Sequence, residues 1–286
     1  MKKMFLYSAF CLLIGIGSVV RGAEPQTSDS LRIISLSPNI TETIFALGFG
    51  DRVVGDSDYC KYPPEAEKRP HVGGLYNTNV ELIIALNPSL VFHSVAQSNG
   101  IDHIKAAGIP LVRIPSDSLD DVTAGIEKVG RTLGANDRAT SITLGIRRDL
   151  EALRLVNEKR GKRSRVLQVI DRPAGALRDI YVVGSHNFMD DMLTIAGAEN
   201  VMKDSPAAYP IVSKEFLIAH PPDVIIDVRL DDEVGSRRDW LDLLGRDETN
   251  GPRIVFSRSA EFVIPGPRIA ESARKLSLLI YGDEKP

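Results

Sequence analysis

The chain has 286 residues, 43% of them hydrophobic and 26% charged, which supplies apolar surface for buried cores and excludes a disordered or coiled-coil protein. A formal net charge of −3 leaves no broad basic surface to follow a phosphate backbone, so nucleic acid is not an expected partner. In chain order, Lys2 and Lys3 precede an apolar run from Met4 to Val20 and the small residues Gly22-Ala23. That arrangement predicts a signal peptide over 1–23, cleaved on export to the periplasm. Cys11 lies inside the apolar run behind the bulky Phe10, so it is not expected to be a lipid-attachment site and is expected to leave with the signal. One mature cysteine then remains, Cys60, which has no intrachain partner and is expected to be a small buried side chain.

From Leu31 onward short β-branched runs alternate with helical stretches, the pattern of an α/β fold with mainly parallel strands. Strands are predicted at 32–36, 52–55, 90–93 and 111–114, with helices at 41–47, 80–86 and 101–107 between them. The alternation resumes with strands at 166–170, 180–183, 224–227 and 254–256. Between the two series, Asp137 to Glu158 contains no proline and carries Ile142, Ile146, Leu150, Leu153 and Val156 at helical spacing. At 1.5 Å per residue that helix would span about 33 Å, enough to bridge two lobes. The organisation expected is an N-terminal lobe over 31–136, an interlobe helix over 137–160 and a C-terminal lobe over 164–286.

An internal echo supports two similar lobes. The stretch from Glu81 to Phe92 lines up without gaps on Glu215 to Ile226, and in each copy a glutamate opens a helix that turns at proline into an apolar strand. More weakly, Glu42 to Gly48 echoes Asp191 to Gly197, each ending in a glycine suited to terminate a helix.

The sequences 32–48, 57–64 (Ser57-Asp58-Tyr59 through Pro63-Pro64), Val72-Gly73-Gly74, 79–91, Ser213-Lys214-Glu215 and Pro267-Arg268-Ile269 resemble, in order and spacing, the periplasmic binding proteins that serve importers of vitamin B12, haem and ferric siderophores. Within that family the vitamin B12 binders are most similar. The resemblance implies two Rossmann-like lobes joined by a rigid helix, with a metal chelate held between them and delivered to an ABC importer permease. It implies a corrinoid first, and a ferric siderophore or haem as the alternative. Leu75 stands where the vitamin B12 binders carry a tryptophan, and Gly74 where haem binders of the family carry a tyrosine.

Ligands of α/β lobes collect at the carboxyl ends of the strands, which directs attention to the loops there. A corrinoid needs flat aromatic contact and neutral hydrogen-bonding groups, which Tyr59, Leu75, Tyr76, Asn77, Gln97 and Phe262 would supply. An anionic siderophore would favour arginine, making Arg172 and Arg229 candidates. The five histidines show no paired ligand spacing, although His93 at a strand end is a possible axial ligand, so free metal-ion capture is a minor reading. No resident cofactor is expected.

The resemblance also assigns Glu81 and Glu215 to permease docking, one acidic residue on each lobe. Against that, Thr78-Asn79-Val80-Glu81 has the spacing of a capping box, which would turn Glu81 toward its own backbone. No nucleophile elbow, paired zinc histidines or phosphate loop is present, so no enzyme, including a metal-chelate enzyme, is expected. The protein is expected to work as a monomer, with Trp240, the single tryptophan, as a fluorescent reporter.

Overall fold

The computed structural model describes residues 31–94, 96–97, 99–173, 177–228, 237–247 and 249–282. The expected signal peptide, Cys11 and Arg229 lie outside the described residues. The first half alternates as its sequence predicts: β1 (Ile33–Ser35), α1 (Pro38–Ala46), β2 (Val53–Asp56), α2 (Val80–Ala85), β3 (Leu90–Ser94), α3 (Ile101–Ala106) and β4 (Leu111–Ile114). The strands form one sheet in the order β2-β1-β3-β4, and every pairing in it is parallel. Ile34, Val72, Ile83, Val91 and Ile104 close its core, and each such fully buried side chain contributes roughly 1.5–3 kcal/mol relative to exposure.

The second half contains β5 (Ser164–Asp171), β6 (Ile180–Val182), α6 (Phe188–Ile195), β7 (Ala198–Asn200), β8 (Ile211–Val212), α7 (Lys214–Ala219), β9 (Val224–Val228), α8 (Arg237–Leu244) and β10 (Arg253–Ser257). Its sheet runs β10-β9-β5-β6-β8, with β7 also paired to β5. The pairs β10–β9, β9–β5 and β5–β7 are parallel, whereas β6 and β8 run antiparallel at the far edge. Trp240, fully buried in this core, donates its Nε1 hydrogen to Asp227 at 3.0 Å. Its fluorescence therefore reports on the core of the second lobe and not on a ligand loop.

The echo extends to hydrogen bonds. Arg32, at the entry to β1, donates its Nε hydrogen to the Leu86 and Asn87 carbonyls at the end of α2, and its own carbonyl accepts from Ser89 N at 2.8 Å. At the matching point, Arg165 donates to the Pro221 carbonyl after α7, and its carbonyl accepts from Asp223 N at 2.8 Å. Ile83 and Leu217 are buried in register, as are Pro88 and Pro222. The weaker echo holds as well, because Gly48 (φ 89°) and Gly197 (φ 87°) both end their helices in the left-handed region that glycine tolerates.

Two long helices join the sheets. α4 (Leu119–Leu133), opened by a capping box between Ser118 and Asp121, packs on α5 (Asn136–Glu158), which in turn packs on α6 and on α9 (Ile269–Tyr281). The buried line of α5 is Ala139, Thr143, Ile146, Leu150 and Asn157, so the apolar stripe expected from Ile142, Leu153 and Val156 is only partly realised. The difference has a polar cause. Asn157 donates to the Ile195 carbonyl at 3.0 Å and accepts from Ser277 Oγ at 3.1 Å, and Thr143 donates to Glu127 at 3.2 Å. These bonds allow polar side chains into the interface at a low desolvation cost.

Candidate functional site

The carboxyl ends of the parallel strands face each other across a cavity of about 880 Å³. From the first lobe its wall comprises the β1–α1 turn (Leu36 to Asn39), Ser57, Tyr59 and Lys61 after β2, Leu75 and Tyr76 ahead of α2, and Ser116 and Asp117 after β4. The second lobe contributes Phe188, Tyr209, Arg258 and the stretch after β10 that leads to Arg268. Three tyrosines project their rings: Tyr59 is 63% exposed, Tyr76 85% and Tyr209 43%. Rings of that size left in a concave surface offer flat contact area plus a hydroxyl that can donate, accept or, once deprotonated, bind a metal.

Of the residues singled out from sequence, Tyr59, Leu75 and Tyr76 meet in this wall. Asn77, exposed, and Gln97 instead hold the loop that carries Leu75 and Tyr76. Asn77 accepts from Gly74 N at 2.8 Å, while Gln97, buried, donates to Thr78 Oγ1 at 2.7 Å and to the Leu75 carbonyl. The loop is tight: a Cβ on Gly73, whose φ is 92°, would stand 2.3 Å from the Asn77 carbonyl oxygen. Phe262 is packed behind the wall at 2% exposure. Arg172 is also buried, with its Nε and Nη2 on Asp227 Oδ2 at 3.0 and 2.9 Å. It is committed to the second-lobe core, where the Asp227 carboxylate needs a counter-charge.

Tyr209 was legible in the echo and missed: carried over by the gapless match of Glu81 on Glu215, Leu75-Tyr76 falls on Tyr209-Pro210. Equivalent loops of the two lobes thus line the cavity. Lys61 lies within the 57–64 stretch but was not singled out there, while Asp117 and Arg258 carry no motif and are found only by the fold.

Arg268 ties the lobes together at the cleft. Its guanidinium holds Glu42 of α1 with two bonds of 2.6 and 2.9 Å, approaches Glu261 at 3.4 Å and lies 3.9 Å over the Tyr62 ring. Burial pushes the Glu42 carboxyl up from its ordinary range, with Arg268 opposing that shift. A second tie runs from Phe188 N to the Asp117 carbonyl at 2.7 Å and from Leu119 N to Asp191 Oδ2 at 3.1 Å.

Cys60 is fully buried between Thr41 Oγ1 (3.1 Å) and Ser57 Oγ (3.3 Å), and burial raises its thiol to about 11, so it is a neutral packing group. His93 is buried, bonded through Nδ1 to the Ser94 carbonyl, and burial lowers its basicity. Among the described residues no group of three or more His, Cys, Asp or Glu side chains converges to hold a metal ion.

Outside the cavity, Glu81 and Glu215 are both exposed at the second position of their helices. The capping box expected at Glu81 does not form. Asn79 caps α2 by accepting from Leu82 N, Ser213 caps α7 by accepting from Phe216 N, and Thr78 turns away to the Gly74 carbonyl. Glu81 is thereby released from its own backbone.

The sequence model of the family described as "Periplasmic binding protein" matches residues 33–234. The chain belongs to that family. Its members are substrate-binding transport proteins of ABC importers, which work with a membrane permease and are not enzymes. This periplasmic binding protein is 29% identical over 263 residues to the ABC transporter substrate-binding lipoprotein YvrC of Bacillus subtilis (strain 168), covering 88% of this chain and 80% of that protein. It is 28% identical over 197 residues to a vitamin B12-binding protein of Yersinia pestis (strain Pestoides F), covering 68% of each. Among solved structures it is similar to the periplasmic heme-binding protein RhuT of Roseiflexus sp. RS-1, with a TM-score of 0.75, 28% identity, and coverage of 88% of this chain and 98% of that one. No helix among the described residues is long and apolar enough to cross a membrane.

Proposed function

We propose that this periplasmic binding protein, exported by a cleaved signal peptide, captures a corrinoid between its lobes as a monomer and delivers it to an ABC importer permease. The observation that carries the reading is the cavity of about 880 Å³ with Tyr59 and Tyr76 on one wall and Tyr209 on the other. That volume lies toward the upper end for small-molecule sites and suits a broad macrocycle more than an amino acid or a bare ion. Flat rings and neutral loop groups favour a ligand with a large apolar face and many amides. The vitamin B12-binding relative points the same way.

Haem is the second reading. The exposed tyrosines provide phenolate oxygens for ferric iron, and Lys61 and Arg258 at the wall would suit acidic side arms. A ferric siderophore would draw on the same two cations. Titration of the mature protein with cobalamin, haem and a ferric siderophore, followed by calorimetry and ligand absorbance, separates these readings. Saturable one-to-one binding of cobalamin is expected; saturation by haem or the siderophore alone would replace the corrinoid.

In this reading Glu81 and Glu215 serve delivery, one exposed carboxylate on each lobe meeting basic groups of the permease. The double variant Glu81→Gln, Glu215→Gln should keep ligand affinity and slow uptake in reconstituted vesicles, most at low salt. Collapse of ligand affinity with docking intact would return these glutamates to the cleft.

A further inference from the structure

The echo helices present more than their glutamates. Ile84 follows Glu81 by three residues and Ile218 follows Glu215 by three, so on each helix the two side chains are neighbours on one flank. Both isoleucines are left in solvent, Ile84 at 46% and Ile218 at 49%, while the intervening Ile83 and Leu217 are fully buried. A lone exposed isoleucine is ordinary on any protein surface. Two at gapless matched positions, exposed to nearly the same extent beside matched carboxylates, form a repeated surface element. The fold also holds that element still. Each helix is capped by the side chain ahead of it and braced at its far end by a strand-entry arginine, Arg32 or Arg165.

We propose that Glu81–Ile84 and Glu215–Ile218 are two equivalent docking points, in which the isoleucines hold the permease once the glutamates have oriented it. The proposal rests on the docking role assigned above to the glutamates. The partner it requires is a permease that offers the same surface twice, each copy with a cationic side chain next to an apolar depression. A partner with only positive charge would be recognised by the carboxylates alone and would leave both isoleucines wet. Division of labour follows from the chemistry of the two groups. Rim charges act over the Debye length and govern encounter, whereas apolar contact forms only on touching and governs how long the complex lasts.

The test uses the mature protein and each dimeric importer permease of the source organism, reconstituted in lipid nanodiscs, with association and dissociation rates measured at low and high salt. Ile84→Ser with Ile218→Ser should raise the dissociation rate about thirtyfold, about fivefold for each single change, at both salt levels. The chelate affinity and melting temperature should stay unchanged, which excludes misfolding as the cause. Glu81→Gln with Glu215→Gln should slow association at low salt and lose its effect at high salt. If the glutamate variant is impaired and the isoleucine variant dissociates like wild type, this inference is wrong and the docking role of the glutamates stands. If wild-type protein binds a permease and neither variant differs from it, or if no permease binds at all, the docking reading itself fails.

Discussion

Single side chains in this protein divide by whether the fold leaves them anything to do. Tyr76 and Tyr209 are fixed at the ends of equivalent loops with their rings in solvent, so replacing them removes contact area for a ligand and little from the core. Tyr76→Ala and Tyr209→Ala should each weaken chelate binding by about tenfold or more, with melting temperature nearly unchanged. Calorimetric titration beside a melting curve checks both halves. Asp56 is the opposite case: it is fully buried, its Oδ1 meets His71 Nδ1 at 2.8 Å, and its Oδ2 has no partner among the described residues. Burial raises its carboxyl to about 6, with His71 as the main opposing influence. Between about pH 4 and pH 6 the unfolded chain has lost this proton and the folded chain still holds it, so the group's contribution to stability falls as pH rises through that window. Asp56→Asn should flatten this slope, read from urea unfolding at a series of pH values. An unchanged slope would mean that Asp56 is ionised throughout.

At the scale of elements, the glycines of the spine make opposite predictions. Gly145 lies mid-helix in α5, and a Cβ there would meet nothing within 4 Å, whereas a Cβ on Gly130 of α4 would fall 2.4 Å from Ala139 Cβ. Gly145→Ala should therefore stabilise by about 0.5–1 kcal/mol through reduced freedom of the unfolded chain, since a side chain fits there. Gly130→Ala should destabilise by about 1–3 kcal/mol, because α4 and α5 touch at that point and one must move. Chemical denaturation of both variants decides the matter. The same helices show where sequence reading stops. Strands were legible from β-branched runs, and β4 has the bounds expected even though it is an edge strand with Arg113 exposed and only Ile114 buried. Helices α4 and α9 are not among the expected elements, and the face of α5 is misjudged wherever Thr143 and Asn157 do the packing. Apolar periodicity cannot register an interface completed by hydrogen bonds. Among the ligand residues, Tyr59 and Tyr76 on the wall of the cleft were recognisable as loop aromatics, although Phe262, of the same kind, is buried. Gln97 and Arg172 share that polar loop character but face inward, a distinction set by tertiary contact alone, while Asn77 stays exposed and spends its side-chain oxygen on Gly74 N.

For the whole molecule, the decisive arrangement is a single long helix beside two cross-lobe ties. The 23 residues of α5 span about 34 Å without a proline, and Arg268, with Glu261 beside it on its own lobe, binds Glu42 across the cleft. An uninterrupted helix offers few soft dihedrals for a hinge. Small-angle scattering of the mature protein should therefore show nearly the same radius of gyration with and without chelate. A large compaction on binding would show that the ties break and that the spine bends.

The Arg268 tie also shapes the heat signature of capture. A binding protein that folds or closes around its ligand buries surface of its own, and that burial enters the heat-capacity change together with an ordering entropy. Here the walls already stand in place, held by Glu42 on one lobe and Glu261 on the other. The heat-capacity change should then scale with the apolar area of the chelate and of the tyrosine-lined wall it covers, and with nothing further.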